Sequence, residues 1–150
     1  MKAQTKDMVI ERPRIKIFLV DDDALYLKVL ESYFLESNIL EVSSFATGEE
    51  CLLHLSDKPD VVVLDYFLNG KDKEAKNGLA ILKKIKAEDP KIQVIMLSSH
   101  ENVEIALDCI SCNAFNFIVK NETTFLRLKH SIKQIFHRDS VVKELIVWDW

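Results

Sequence analysis

The chain has 150 residues, 48% of them hydrophobic and 29% charged, with a formal net charge of −4. That is one domain's length with enough apolar material for a real core, and it lacks the basic footprint of a chain that binds nucleic acid directly. The opening segment MKAQTKDMVIERPR scatters charges where a secretory signal needs an apolar core, and no apolar run approaches the ~20 residues that span a bilayer, so the expectation is a soluble, cytoplasmic protein with no membrane partner.

In chain order, IKIFLV (15–20) has the length and β-branched content of a buried strand, and helical spacing of apolar residues follows over 24–36. LEVSSF (40–45) alternates less cleanly and suits an edge strand. Thr47 with Glu50 forms a capping box at the head of a helix over 47–55. Pro59 then precedes a third strand, VVVL (61–64). The polar loop NGKDKEAKNG (69–78) leads to a helix over 79–88 that Pro90 ends. IQVIML (92–97) is the fourth strand and 102–112 the fourth helix, after which Asn113 stands where left-handed dihedrals are wanted. FNFIV (115–119) and a helix over 123–137 complete the pattern. Cys51, Cys109 and Cys112 are too few for a disulfide framework and read as reduced thiols, since CxxC at 109–112 has no second Cys/His pair to complete a zinc site.

Five strand and helix alternations with short connections predict a doubly wound α/β fold: a parallel sheet covered by helices on both faces. In such sheets ligands bind beyond the carboxyl ends of the strands. Here those ends carry Asp21, Asp22 and Asp23, then Asp65, then Ser98 and Ser99, then Lys120. With strand order 2-1-3-4-5, the first aspartates lie beside Asp65. Three carboxylates in a small space need a proton or a cation, and their hard oxygen donors suit Mg²⁺. A carboxylate beside a metal can act as a nucleophile toward a phosphoryl group; Asp65, alone at the end of the central strand, is the candidate. Ser98 offers a hydroxyl and Lys120 a point charge to phosphoryl oxygens. Asp23, just before the first helix, reads as its N-cap, Ser99 as a loop residue, and His54, His130 and His137 as solvated side chains on helix surfaces.

VDDD (20–23), VVVLD (61–65), MLSS (96–99) and IVK (118–120), in this order and spacing, resemble the receiver domain of bacterial two-component response regulators, and the resemblance covers about residues 14–138. It implies a flavodoxin-like (βα)5 three-layer sandwich, with 1–13 as an N-terminal tail and 139–150 as a C-terminal apolar extension. By the same resemblance Asp22 is a direct Mg²⁺ ligand, Asp21 a partly water-mediated one, Asp65 both ligand and phosphoacceptor, and Phe67 a ligand through its backbone carbonyl. Ser98 matches the switch hydroxyl and Lys120 the phosphate-contacting lysine. Phe117 stands at the family's aromatic switch position, or is a plain core phenylalanine. Such domains take a phosphoryl group from a sensor histidine kinase or histidine phosphotransfer protein. They switch conformation to control a downstream protein target or self-association, and are catalytic only toward themselves.

Four features depart from that pattern. Asn121 follows Lys120 where the family has proline, so a trans bond or visible strain is expected, because a cis bond to a non-proline residue costs ~3 kcal/mol. The loop after Asp65 is long and carries Lys71, Lys73 and Lys76, a partner-recognition loop or a solvated one. Phe67 and His100 occupy the two positions that tune dephosphorylation; Phe67 cannot orient an attacking water, which predicts a long-lived phosphorylated form. Last, RDSVVKELIVWDW (138–150) continues past the last helix with many apolar residues, either folding back on the domain or, with the last helix, building a homodimer.

Two other readings compete with the phosphoacceptor. One is a pseudo-receiver acting as a phosphorylation-independent scaffold, against which the full acidic set and Lys120 argue. The other is an enzyme on a similar fold. An aspartyl-phosphate phosphatase wants a second aspartate at position 67, which is Phe, and a flavin carrier wants a phosphate loop where this chain has aspartates.

Overall fold

The computed structural model describes residues 14–68, 70 and 77–137. The strands are β1 (Ile15–Val20), β2 (Leu40–Phe45), β3 (Val61–Asp65), β4 (Gln93–Ser98) and β5 (Asn116–Val119). The helices are α1 (Ala24–Phe34), α2 (Gly48–Leu53), α3 (Gly78–Glu88), α4 (Val103–Ser111) and α5 (Thr124–Phe136). All strand pairs are parallel and the order is β2-β1-β3-β4-β5, as the alternation predicts.

Strand periodicity divides the apolar residues between two cores. On β1, Ile15, Ile17 and Leu19 face α1 and α5, where they meet Leu30, Phe34, Leu128 and Ile132. Phe18 and Val20 point the other way, toward α2, α3 and α4, and meet Cys51, Ile81, Leu82 and Cys109. The central strand β3 is buried along its whole length, as a strand with helices on both faces must be. On the edge strand β2, by contrast, Glu41 and Ser43 are exposed.

Side chains close the helix heads. Asp23 accepts from the amides of Leu25 and Tyr26, Thr47 from Glu50, Asn77 from Ala80 and Asn102 from Ile105. Each satisfies an amide that has no partner inside its helix. Asn113 has φ 70°, the left-handed conformation expected after α4. The second helix is shorter than its periodicity predicts: it stops at Leu53, and a 3₁₀ turn (Leu55–Asp57) follows. His54 ends that helix as an exposed side chain, as expected, with Nδ1 2.9 Å from the Glu50 carbonyl and its ring centroid 5.0 Å from Phe45.

Two features of the fold set up the carboxyl edge. Register pairs Val20 with Leu64, Asp65 with Leu97 and Ser98 with Val119, so the residues that end β1, β3, β4 and β5 emerge at nearly one level. Gly78 starts α3 against the end of β3. A Cβ there would lie 2.5 Å from the Asp65 carbonyl oxygen and 2.6 Å from the Tyr66 Cα, while its amide donates to the Tyr66 carbonyl at 2.7 Å. Only glycine fits that approach.

No described peptide bond is cis, so Lys120–Asn121 is trans. Among the described residues no helix is long and apolar enough to cross a membrane. The tail 1–13, Lys71, Lys73 and Lys76 of the loop, and the extension 139–150 lie outside the described residues.

Candidate functional site

The carboxylates of Asp21, Asp22 and Asp65 each offer an oxygen within 4.8 Å of the others. Asp21 and Asp65 are 1% and 4% exposed, so two of the three negative charges are shielded from water. Each carboxylate is oriented from a different direction. Asp21 Oδ1 accepts from the Asp23 amide at 2.9 Å, because the chain turns there to enter α1. Asp22 Oδ2 accepts from the Gly70 amide at 3.2 Å, across the mouth of the site. Asp65 is held by β3 itself, and its buried Oδ1 has no hydrogen-bond partner.

Lys120 crosses from the end of β5 to answer this charge. Its Nζ lies 2.8 Å from Asp21 Oδ2 and 3.3 Å from Asp65 Oδ1, and its side chain is 18% exposed. One ammonium does not balance three carboxylates. Burial and the charge of Asp21 push the Asp65 carboxyl up to about 7 despite the opposing pull of Lys120. Burial works to lower the pKa of Lys120, but Asp65 and Asp21 outweigh it and the pKa rises. The surplus negative charge and the hard oxygen donors together fit a small divalent cation such as Mg²⁺.

Ser98 is fully buried at the end of β4, with its hydroxyl turned toward its own loop. It donates to the His100 carbonyl at 3.0 Å and accepts from the His100 amide at 3.1 Å. Ser99 Oγ lies 3.0 Å from His100 Nδ1. The His100 ring meets the edge of Phe67, centroids 4.9 Å apart, and Phe67 packs in turn on Tyr66 at 5.0 Å. The two predicted tuning positions therefore touch, and they join the loop after Asp65 to the loop after Ser98. Phe117 is half-buried on β5 and packs into the core beneath α4. Cys51 and Cys109 lie in the core rather than at this edge, where burial pushes their thiols up to about 12 and about 11, far from thiolate chemistry.

Sequence reasoning missed one residue at the site. Tyr26 stands on the first turn of α1, and its ring centroid lies 4.3 Å from Lys120 Nζ. Its signal was its place in the helix. Side chains on a helix lean toward its N-terminus, so a residue four after Asp22 reaches back toward the aspartates.

The model of the response regulator receiver domain family matches residues 17–133. The C4-dicarboxylate transport transcriptional regulatory protein DctD of Rhizobium meliloti is 36% identical over 105 residues, 69% of this chain and 22% of that protein. The crystal structure of the receiver domain of NtrX from Brucella abortus superposes with a TM-score of 0.70 at 28% identity, covering 81% of this chain and 98% of that one. A BeF3-activated DrrB receiver domain gives a TM-score of 0.64 at 30% identity, covering 80% of this chain and 98% of that one. The chain spans about a fifth to a third of the length of the curated relatives it matches. With the family's sequence pattern running through all five strands and its fold around the acidic edge, the chain belongs to the response regulator receiver domain family.

Proposed function

We propose that the chain is a phosphoacceptor: Asp65 receives a phosphoryl group from the phosphohistidine of a sensor histidine kinase or a histidine phosphotransfer protein. The observation that carries this is the buried Asp65 carboxylate, set within 4.8 Å of two more carboxylates and 3.3 Å from an ammonium. That is a nucleophile in a site built to collect charge.

In the transfer an Asp65 oxygen attacks phosphorus, the phosphorus–nitrogen bond to the donor imidazole breaks with its electron pair left on nitrogen, and that nitrogen takes a proton from solvent to give neutral imidazole. Asp21, Asp22 and Asp65 are the side chains that would hold Mg²⁺, with Phe67 contributing its backbone carbonyl. Once bound there, Mg²⁺ offsets the charge of the carboxylates and the transferring oxygens. Lys120 gives its ammonium to one phosphoryl oxygen. Ser98 gives its hydroxyl to another, and to do so it must give up its donation to the His100 carbonyl, so the loop after β4 moves. That movement is the switch, with Phe117 as the side chain that follows it in the core.

The protein is catalytic only toward its own Asp65. Its output is a downstream protein target or self-association through α5 and residues 139–150. Incubation with Mg²⁺ and a small acyl- or amidophosphate, read by intact mass, tests the reading: wild type gains one phosphoryl group and Asp65→Asn gains none. A folded wild type that gains none leaves the scaffold as the better account.

A further inference from the structure

We infer that Tyr26 is a positioning residue for Lys120, its ring holding the ammonium at the tip of that side chain. The inference deepens the proposed function, since its kinetic consequence rests on Asp65 as the acceptor.

A lysine ammonium sits on a flexible four-carbon stem, so something other than its own rotamers must decide where it stands. Two carboxylates do part of this, through Asp21 at 2.8 Å and Asp65 at 3.3 Å. Yet Asp65 changes its chemical identity when it is phosphorylated, so its share of the hold does not persist through the reaction. The Tyr26 ring, 4.3 Å from Nζ, takes no part in that chemistry and lies well inside the distance at which a ring face attracts a cation. The backbone that carries the ring is fixed, because the Tyr26 amide donates to Asp23 Oδ1 in the cap of α1.

The loop behind the lysine has its own hold, centred on Thr124, which is fully buried. Thr124 Oγ1 accepts from the Asn121 amide at 2.8 Å and donates to the Asn121 carbonyl at 2.9 Å. Asn121 Oδ1 closes the turn, accepting from the Thr123 amide at 2.8 Å and hydroxyl at 2.7 Å. Asn121 is the residue directly after Lys120. That turn fixes the backbone leaving the lysine, with a trans Lys120–Asn121 bond, while the Tyr26 ring meets the ammonium at the end of the side chain.

The test uses the full chain with Tyr26→Phe and Tyr26→Leu, each alone and with Lys120→Met. In wild type and Tyr26→Phe the Lys120 methylene protons next to Nζ are displaced upfield by the ring in NMR spectra, with the signal assigned by its loss in Lys120→Met; in Tyr26→Leu the displacement is gone. With Mg²⁺ and a small phosphodonor, Tyr26→Leu is phosphorylated about tenfold more slowly than wild type, Tyr26→Phe within about threefold of it, and Tyr26→Leu has no further effect once Lys120 is Met. Wild-type speed in Tyr26→Leu, an equal slowing in the Lys120→Met background, or an undisplaced Lys120 signal in wild type would overturn the inference. A wild type that takes no phosphoryl group sinks the proposed function instead, and the NMR displacement then decides by itself whether Tyr26 holds Lys120.

Discussion

Ser98 and His100 exchange two hydrogen bonds: the Ser98 hydroxyl donates to the His100 carbonyl at 3.0 Å and accepts from the His100 amide at 3.1 Å. A fully buried hydroxyl whose one proton is already donated is not free to donate to a phosphoryl group. The structure thus shows Ser98 engaged by its own loop. Redirecting that proton costs one hydrogen bond, worth about 1 kcal/mol net, which a phosphoryl group on Asp65 would offset with a charge-assisted one.

Ser98→Ala follows from this. The variant keeps Asp65, the acidic pair and Lys120, so it still accepts a phosphoryl group, more slowly. It loses the contact that draws the β4–α4 loop inward. Backbone amide spectra recorded before and after adding beryllofluoride with Mg²⁺ are the check: residues 98–103 shift in wild type and stay near their free positions in the variant. A full wild-type response in Ser98→Ala would mean that the loop is moved by something other than the hydroxyl.

The contact between Phe67 and His100 leads to a second prediction. The two rings meet edge to face at 4.9 Å and join the loops on either side of the acceptor. Phe67 has no group that can orient a water for attack on an acyl phosphate. Phosphorylated wild type is expected to persist for minutes or longer, and Phe67→Asn, which supplies an amide, to lose the group at least several-fold faster. The decay of the phosphorylated mass after donor removal measures both. Hydrolysis of the wild type within seconds would show that the ring is no barrier.

Much of this site was readable before any coordinates, because chemistry and topology coincide there. Asp21, Asp65, Ser98 and Lys120 each stand directly at the end of an apolar run, and a parallel sheet of order 2-1-3-4-5 brings those ends together. Asp23 could be assigned to the cap of α1 from its position alone. The end of α2 at Leu53 was not readable, since the apolar spacing runs on to Leu55 while the backbone has already tightened into a 3₁₀ turn. Tyr26 was hidden for another reason. In the sequence it is one more ring-bearing residue on an amphipathic helix, and its meaning comes from Lys120, 94 positions away, which only the folded chain places on its face.

The acceptor itself should be a local cost to stability. Its carboxyl is pushed up from the ordinary 3.8 to about 7, first by burial and then by Asp21. Between those values the folded chain keeps a proton that the unfolded chain has released, so this group makes stability fall as pH rises from about 4 to about 7, and the loss then levels off. Asp65→Asn removes the effect. In metal-free buffer the variant should match wild type near pH 4.5 and be more stable by about 1 to 4 kcal/mol at pH 8. Mg²⁺ at pH 8 should narrow that gap, because it binds the folded wild type and finds one carboxylate fewer in the variant. Denaturant melts across pH give the difference directly, and a gap independent of pH would contradict the assignment.

Gly78 ties the acceptor strand to the helix that follows it, and its replacement should separate folding from chemistry in an unusual way. The Cβ of Gly78→Ala would stand 2.5 Å from the Asp65 carbonyl oxygen and 2.6 Å from the Tyr66 Cα. Both are backbone atoms, so no side-chain rotation relieves the clash. Either α3 backs away, giving up packing of Ile81 and Leu82 against the sheet, or the end of β3 bends and carries Asp65 with it. The first route costs about 1 to 3 kcal/mol by analogy with overpacked cores. The second also slows phosphorylation, because Asp65 leaves its place beside Asp21 and Lys120. Thermal melts with phosphorylation rates distinguish the routes: lost stability with a wild-type rate means that α3 yields, and loss of both means that β3 does. A variant as stable and as fast as wild type would show that the close approach of Gly78 to β3 is not required.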